Sequence, residues 1–446
     1  MKNKTLMTEG VIWKKIILFA LPIFFGNLFQ QLYNTADSLI VGNVLGSEAL
    51  AAVSSSSSLT QLLVGFFNGI FMGAGVLTAR NYGANDKEAL SRSVHTSIAL
   101  GLVCSVLLTG IGITFAPLIL RLMGTPEHIL PTSVSYLRFY FAGSVGLVMY
   151  NVFVGILQSV GDSRHPLIYL IVSSFINIVL DLFFVSVLKL GVGSAALATS
   201  IAQITSSLLC LRQLLKVQDD YRVEIKKIGF EKETLKKIIR IGIPSGVQNS
   251  IVAFANVVVQ TNINAFGEMA MAGCGAFSKL EGFAFLPITS FTMALTTFVG
   301  QNLGANQKER TLKGIRFGVI CSVCLAECIG IAFTIFAPNL IALFNNNPEV
   351  IAFGVGRTRV SAPFFFLLAF SHCISAVMRG AGKTTVPMFV MLATWCGIRV
   401  IYITVFVALL HRIEVVYWAY PLTWFLSSVI FLWVYQKKNW LNHQNI

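Results

Sequence analysis

The chain has 446 residues, of which 55% are hydrophobic and only 12% are charged, and its formal net charge is +14. Apolar runs of about 20 residues, the length that crosses a bilayer, recur along almost the whole sequence, which excludes a set of soluble domains. Most of the 33 Lys and Arg residues fall in the N-terminal tail and in alternate connections between these runs. The basic excess is therefore a topological signal and not a nucleic-acid footprint.

Twelve membrane-spanning helices are predicted, because a helix satisfies its own backbone hydrogen bonds within a bilayer. In chain order they cover residues 15–42, 48–79, 93–119, 134–157, 166–188, 193–215, 237–266, 274–299, 315–338, 354–378, 386–410 and 414–435. The distribution of basic residues places both termini in the cytoplasm of a multi-pass protein of the cell (inner) membrane. Basic residues near the ends of spans are counted with the adjoining connections, so Arg357, near the start of the tenth span, is assigned to an outer connection. Only Lys279 and Arg399 then remain as basic residues within spans.

The sequence repeats itself with a period of about 221 residues. Asn81–Glu88 is matched by Asn302–Glu309 at six of eight positions, and Phe115–Pro117 recurs as Phe336–Pro338. Each repeat holds six spans, an even number, so both halves enter the membrane in the same orientation. We therefore expect an all-α integral membrane protein with two six-helix lobes, residues 1–218 and 219–446, related by a pseudo-twofold axis along the membrane normal. Residues 219–235 are predicted to form a cytoplasmic linker.

Two acidic residues, Asp37 and Asp181, lie within predicted spans at a depth where no basic residue can neutralise them. A carboxylate in hydrocarbon costs about 2.5 kcal/mol or more, so such residues are usually functional. The second repeat has lost both acids: Asp181 corresponds to Tyr402, and Asp37 falls near Val258 or Val259. The first lobe is therefore predicted to bind a proton or a metal cation.

Polar neighbours of the two acids support a binding site. Gln30, Tyr33, Asn34 and Asp37 share one helix face by their spacing. Asn177 lies four residues before Asp181, and Thr199 on the following span can add a hydroxyl oxygen. These are hard oxygen ligands that suit Na⁺, and the carboxylates can take protons instead.

Other polar residues have more than one interpretation. Gln30, Tyr33, Asn34, Asn151 and Glu281 are candidates for a substrate-binding cleft, but for Gln30, Asn34 or Asn151 taken alone the sequence favours a structural role, in which the side chain holds helices together by hydrogen bonds. Glu281 either forms an ion pair with Arg399 or contributes to substrate binding.

The chain resembles the multidrug and toxic compound extrusion (MATE) family, most closely its prokaryotic DinF-like branch. The resemblance is carried by the repeat and by Leu21-Pro22, Tyr33–Asp37, Gly83–Asn85 and Asn177–Asp181. It implies that the acids, with Asn177 and Thr199, bind H⁺ or Na⁺. It also implies that Pro22 permits bending of the first helix.

The predicted function is a cation-coupled antiporter that expels amphipathic, often cationic, drugs and toxic compounds by alternating access, and so confers antibiotic resistance. We expect a monomer without enzymatic activity or cofactor, with H⁺ or Na⁺ as the coupling ion. No ATP use is expected, because the segment Arg379–Thr385 lacks the first glycine of a phosphate-binding loop, where Val377 stands. The alternatives are a lipid-linked oligosaccharide flippase, a channel and a membrane enzyme.

Overall fold

The computed structural model describes residues 6–45, 47–122 and 127–442, and this part of the chain is helical without strands. Sixteen α-helices follow one another. They are α1 Ile12–Leu45, α2 Ser47–Gly83, α3 Lys87–Leu122, α4 Leu130–Ala142, α5 Ser144–Ser159, α6 Arg164–Asp181, α7 Gly193–Lys216, α8 Lys232–Asn264, α9 Glu268–Gly304, α10 Lys308–Ile335, α11 Ala337–Ala342, α12 Pro348–Ser361, α13 Phe365–Gly380, α14 Thr385–Met391, α15 Arg399–Leu410 and α16 Glu414–Gln436. The predicted all-α class is confirmed.

Eleven helical segments in the described part are long and apolar enough to cross a membrane. The pair α4 and α5, bent by 46° where they meet, supplies a twelfth if it counts as one span. Gly143 lies at this bend, where a side chain would collide with Ser200 of α7. The expected number of twelve spans is reached when the bent pair is counted in this way.

The chain divides into two compact units, and two helices pass from one unit to the other. The first unit contains Phe25–Gly246, and the second contains Met7–Phe24 with the described residues from Val247 onward. The transitions lie two residues after Pro22 in α1 and two residues after Pro244 in α8. A proline inside a helix removes one backbone hydrogen bond and weakens the helix locally, so both changes of unit occur at intrinsically bendable positions.

In the first unit, α8 packs on α2 through glycines spaced four residues apart. A Cβ atom on Gly69 would lie 2.2 Å from the backbone nitrogen of Gly246, and one on Gly73 would lie 2.5 Å from that of Gly242. Glycines at this spacing on both helices let the two backbones approach closely, an arrangement typical of membrane helix pairs. The N-terminal part of α8 is therefore fixed by backbone contact.

In the second unit, the N-terminal part of α1 is held by side chains. Phe19 and Ile23 are buried with Phe298 of α9. The residues before α1 are anchored as well, because Met7 is 1% exposed and its carbonyl accepts hydrogen bonds from Arg310 Nε and Nη2 at 3.3 and 3.1 Å. Arg310 Nη1 donates to the Gly10 carbonyl at 2.8 Å, so each of its nitrogens has a backbone acceptor.

Candidate functional site

The two acids of the first unit are neighbours, although 144 positions separate Asp37 from Asp181 in the sequence. Asp37 lies on α1 and is partly buried, and Asp181 is the last residue of α6 and is fully buried. A π-helical segment, Leu182–Val187, begins directly after Asp181. Such segments are frequent at functional sites because the widened turn redirects side chains.

Several oxygen atoms around this acid pair lack a donor. Both oxygens of Asp181, Oδ1 of Asp37 and Oδ1 of Asn177 are buried without a hydrogen-bond partner. The side-chain amide of Asn177, which also neighbours Asp181, donates to Thr199 Oγ1 at 3.3 Å. The structure thus brings together the four residues predicted to bind the cation. Buried unpartnered oxygens are unusual, and a proton or a hard cation would satisfy them.

No salt bridge involves Asp37 or Asp181 among the described residues, where an N–O distance up to 4.0 Å would qualify. In the same part of the chain, no group of three His, Cys, Asp or Glu side chains could hold a metal ion. The set is a carboxyl pair with amide and hydroxyl neighbours, and oxygen ligands of this kind suit hard cations better than the imidazole- and thiolate-bound metals.

Aromatic residues adjoin the acids, and the sequence reasoning missed one of them. Tyr136 on α4 is 8% exposed, stacks on Tyr140 with ring centroids 6.3 Å apart, and interacts electrostatically with both acids. Tyr33, a predicted cleft residue, neighbours Asp37, Gln30 and Gln203. The signal that could have found Tyr136 is its i, i+4 spacing to Tyr140 on one helix face.

The other predicted cleft residues do not join the acid pair in one group. Asn34 on α1 is exposed. Asn151 on α5 donates to the carbonyl of Leu147 in its own helix at 2.8 Å, a local contact within one helix. Glu281 lies on α9 in the second unit and has its own polar surroundings.

The surroundings of Glu281 contain two buried arginines, Arg357 and Arg399. The expected position of Arg357 in an outer connection is therefore wrong. Arg357 lies within α12 and is 3% exposed, and Arg399 at the start of α15 is 1% exposed. Both interact electrostatically with Glu281, yet no N–O distance between this carboxyl and either arginine is within 4.0 Å. The ion pair considered for Glu281 and Arg399 is therefore not formed as a direct contact.

Both guanidinium groups pack on the ring of Tyr420 from α16. Their central carbons lie 5.0 Å (Arg357) and 4.5 Å (Arg399) from the ring centroid. Arg399 donates from Nε and Nη2 to the hydroxyl of Thr423 at 3.2 and 2.7 Å. We refer to Arg357, Arg399, Tyr420 and Thr423 as the arginine cluster.

Comparison with known proteins decides the family. The MatE family model matches residues 22–183 and again residues 244–405, so each half of the chain matches it. The chain belongs to the MATE family. The probable multidrug resistance protein YoeA of Bacillus subtilis strain 168 is 30% identical over 445 residues, which cover 97% of this chain and 95% of the relative.

Further comparisons agree with this assignment. The multidrug export protein MepA of Staphylococcus aureus is 25% identical over 381 residues, covering 84% of this chain and 83% of MepA. The solved structure of a MOP superfamily transporter from Pyrococcus furiosus superposes with a TM-score of 0.93 at 24% identity, and all of both chains is covered. The MATE fold of two helical bundles is thus confirmed, as is the prediction of a multidrug transporter, not an enzyme, in a membrane.

Proposed function

We propose that this MATE transporter is an antiporter that exchanges H⁺ or Na⁺ for amphipathic organic compounds, with the cation bound at Asp37 and Asp181. The observation that carries the proposal is the buried acid pair of the first unit, whose oxygens lack donors and which has no salt bridge among the described residues. Two adjacent carboxyl groups in a medium of low dielectric constant cannot both stay ionised without a counter-ion. The pair therefore takes up a cation.

The four oxygen-bearing residues suit either coupling ion. A proton shared by Asp37 and Asp181 would satisfy the carboxyl oxygens alone. Na⁺ would also use the unpartnered Oδ1 of Asn177 and the hydroxyl of Thr199. Both interpretations use the same residues, and they differ in whether the amide and hydroxyl oxygens contribute.

Coupling to an ion gradient supplies enough free energy for export. One positive charge that moves down a potential of 100 mV releases about 2.3 kcal/mol, and one unit of pH gradient adds about 1.4 kcal/mol. One or two ions therefore support a concentration ratio of tens to thousands. Coupling requires that cation and substrate favour different conformations of the transporter. In this proposal the protein acts as a monomer with both termini in the cytoplasm and alternates access between the two sides.

The test is transport by the purified full chain in proteoliposomes. Ethidium, a fluorescent organic cation, is supplied on one side, and a pH gradient or a Na⁺ gradient is imposed separately. We expect ethidium movement against its own gradient under one of the two conditions. Movement only down the ethidium gradient, whichever ion gradient is imposed, would indicate a channel and refute the proposal.

A further inference from the structure

The arginine cluster of the second unit carries positive charge that the described residues do not neutralise by contact. Arg357 and Arg399 are buried in α12 and α15, and among the described residues Glu281 is the one carboxylic acid that interacts electrostatically with both. Two positive charges against one negative charge leave an excess of one. A buried charge without a partner is costly, so an excess of this kind is usually balanced by a ligand.

The guanidinium groups also keep free hydrogen-bond donors. Arg357 Nε is buried without a partner, and Arg357 Nη1 has only a long hydrogen bond of 3.4 Å to the Cys274 carbonyl. Arg399 donates from both Nε and Nη2 to one acceptor, the hydroxyl of Thr423. Its Nη1 makes no hydrogen bond to a described residue. An arginine fork with unused donors matches the geometry of a carboxylate or another oxyanion.

A purely structural role accounts for these arginines less well. Arg310 in the same unit is an example of an arginine with a structural role, because its three nitrogens donate hydrogen bonds to the carbonyls of Met7 and Gly10. The cluster arginines are more buried than Arg310 and yet make fewer hydrogen bonds to backbone acceptors. Packing on aromatic rings positions their guanidinium groups without using their N–H donors.

We propose that the arginine cluster binds the anionic group of an organic substrate, a carboxylate or a sulfonate, between Arg357 and Arg399. Aromatic rings beside the guanidinium groups would receive the apolar body of the compound. Phe277 lies 4.9 Å from the central carbon of Arg357, and Trp395 lies 5.2 Å from that of Arg399. The proposal rests on the exporter function above and refines it, because it adds anionic and zwitterionic compounds to the cationic ones.

Glu281 gives the site a means of selecting for charge. Its carboxyl group repels a second negative charge and attracts a cationic one, so an amphipathic zwitterion or monoanion fits the local charges better than a dianion does. The cluster and Glu281 all belong to the second unit, so the site is complete within that unit.

The test is equilibrium binding of radiolabelled 1-naphthoate to the full chain in phosphatidylcholine nanodiscs. A binding measurement needs no ion gradient, so it does not require transport. We expect Arg357→Gln and Arg399→Gln to weaken naphthoate binding by about ten-fold or more, the usual effect of losing a charge-assisted hydrogen bond. Arg357→Lys, which keeps the charge without the fork, should fall between these variants and the wild type.

Arg379→Gln is the matched control. Arg379 is a buried arginine of the same unit at the end of α13, outside the cluster. It donates to Ser375 Oγ at 2.8 Å and, like Arg357, has a buried Nε without a partner, but among the described residues no second arginine packs beside it on the same ring. The Arg379→Gln substitution should leave the affinity for naphthoate unchanged. Folded Arg357→Gln and Arg399→Gln proteins that bind naphthoate as tightly as the wild type would overturn the proposal.

If an arginine variant does not fold, binding to the wild-type protein still tests the proposal. It should bind 1-naphthoate, and 1-naphthylmethylammonium should displace the bound naphthoate poorly. If naphthoate does not bind and only chloride or inorganic phosphate raises the melting temperature, the arginines hold a structural counter-ion and the proposal fails. Stabilisation by phosphatidylglycerol without naphthoate binding would assign the arginines to a lipid headgroup and would also refute it.

The binding assay also separates this proposal from the coupling proposal. Asp37→Asn should still bind naphthoate, at an affinity that no longer depends on the coupling cation, because Asp37 belongs to the other unit and is not part of the arginine cluster. Loss of ion-driven transport with intact naphthoate binding would leave both proposals standing. Ion-driven transport that survives in Asp37→Asn would refute the coupling site alone.

Discussion

Each unit of this duplicated chain holds one buried charged site, and the two sites are of opposite sign: the acid pair in the first unit and the arginine cluster in the second. At the repeat offset of 221 residues, Thr199 beside the acid pair corresponds to Tyr420 of the arginine cluster, and Tyr136 corresponds to Arg357. A π-helical segment accompanies both sites: one begins directly after Asp181, and the other, Leu392–Ile398, ends directly before Arg399.

After duplication, both halves therefore kept a buried polar site in overlapping parts of the repeat, but the charge of the site differs between the halves. The acid pair of the first unit offers oxygens without donors, and the arginine cluster of the second offers donors without acceptors. Identical halves could only bind similar ligands, whereas halves of opposite charge can bind a cation in one unit and an anionic group in the other. In the antiport proposed above, this difference lets the two units bind unlike ligands.

The largest expected effect comes from removing an acid of the first unit. Asp181→Asn and Asp37→Asn should each abolish ion-driven ethidium transport in proteoliposomes, because a neutral amide cannot bind the coupling cation by charge. Uptake should fall to that of empty liposomes while the protein remains inserted and folded.

Two substitutions serve as controls for this loss. Glu127→Gln removes an acid of the same unit that is exposed and pairs with Arg121 at 3.9 Å, so transport should persist. Tyr402→Phe alters the position that corresponds to Asp181 in the second repeat and should be tolerated. Equal loss at Asp181 and Tyr402 would argue against a cation site confined to one unit.

The next largest effect should follow from Glu281→Gln, which leaves both arginines without a nearby acid. Two charges 4 Å apart interact by about 4 kcal/mol at an effective dielectric constant of 20. Glu281 lies farther than that from each arginine, so the loss of stability should be smaller than this value. We expect a melting temperature lower by a few degrees, measured by thermal unfolding of the purified protein, and partial recovery when 1-naphthoate is added.

Glu349→Gln is the comparison for this measurement, since Glu349 lies at the exposed start of α12. Its melting temperature should match that of the wild type. An unchanged or raised melting temperature for Glu281→Gln would show that the charge excess is already balanced in another way.

The sequence predicted the helices and the duplication well, because apolar length and periodicity are strong signals in a membrane protein. It also predicted that Asp37, Asn177, Asp181 and Thr199 belong together, since each is a polar residue in an apolar run. The same dependence on apolar runs led to the wrong placement of Arg357. It stands near the edge of an apolar run beside Gly356 and Arg359, where a charged residue is usually assigned to a connection.

Other features depend on tertiary contacts that residue patterns do not specify. Nothing in the sequence of α1 or α8 states that its two parts pack in different units, because a proline predicts a weak point and not a partner. Glycine spacing in α2 and α8 was visible, but small residues at that spacing also occur without a helix contact. The partner of each glycine becomes known only from the fold.

The glycine contact provides a prediction of moderate size. Gly73→Ala would place a methyl group 2.5 Å from the backbone of Gly242, so α2 and α8 must move apart. Overpacking of this kind usually costs about 1–3 kcal/mol. We expect a lower melting temperature and weaker expression of the folded protein.

Gly110→Ala is the matched substitution in the same unit, because a Cβ atom at this position in α3 would meet nothing within 4 Å. Alanine favours the helix over glycine by about 1 kcal/mol, so the melting temperature should stay the same or rise. A Gly73→Ala protein as stable as Gly110→Ala would mean that the two helices do not pack as closely as the structure shows.

The smallest expected effect concerns the two prolines at which α1 and α8 change unit. Alanine restores the missing backbone hydrogen bond and stiffens the helix, so Pro22→Ala should slow transport a few-fold without changing the affinity for ethidium. Pro244→Ala should have less effect on the initial rate of uptake. The N-terminal part of α8 is fixed to α2 by backbone contact at the glycines, so bending there is already restricted.

The N-terminal part of α1 differs because it is held in the second unit by packed side chains such as Phe19 and Ile23. Side-chain contacts can repack when a helix bends, whereas contacts between two backbones must separate. The ratio of the two uptake rates therefore measures which helix moves during transport. A larger loss in Pro244→Ala than in Pro22→Ala would mean that α8 bends in spite of its glycine contact, and that the asymmetry between the units lies in their charges alone.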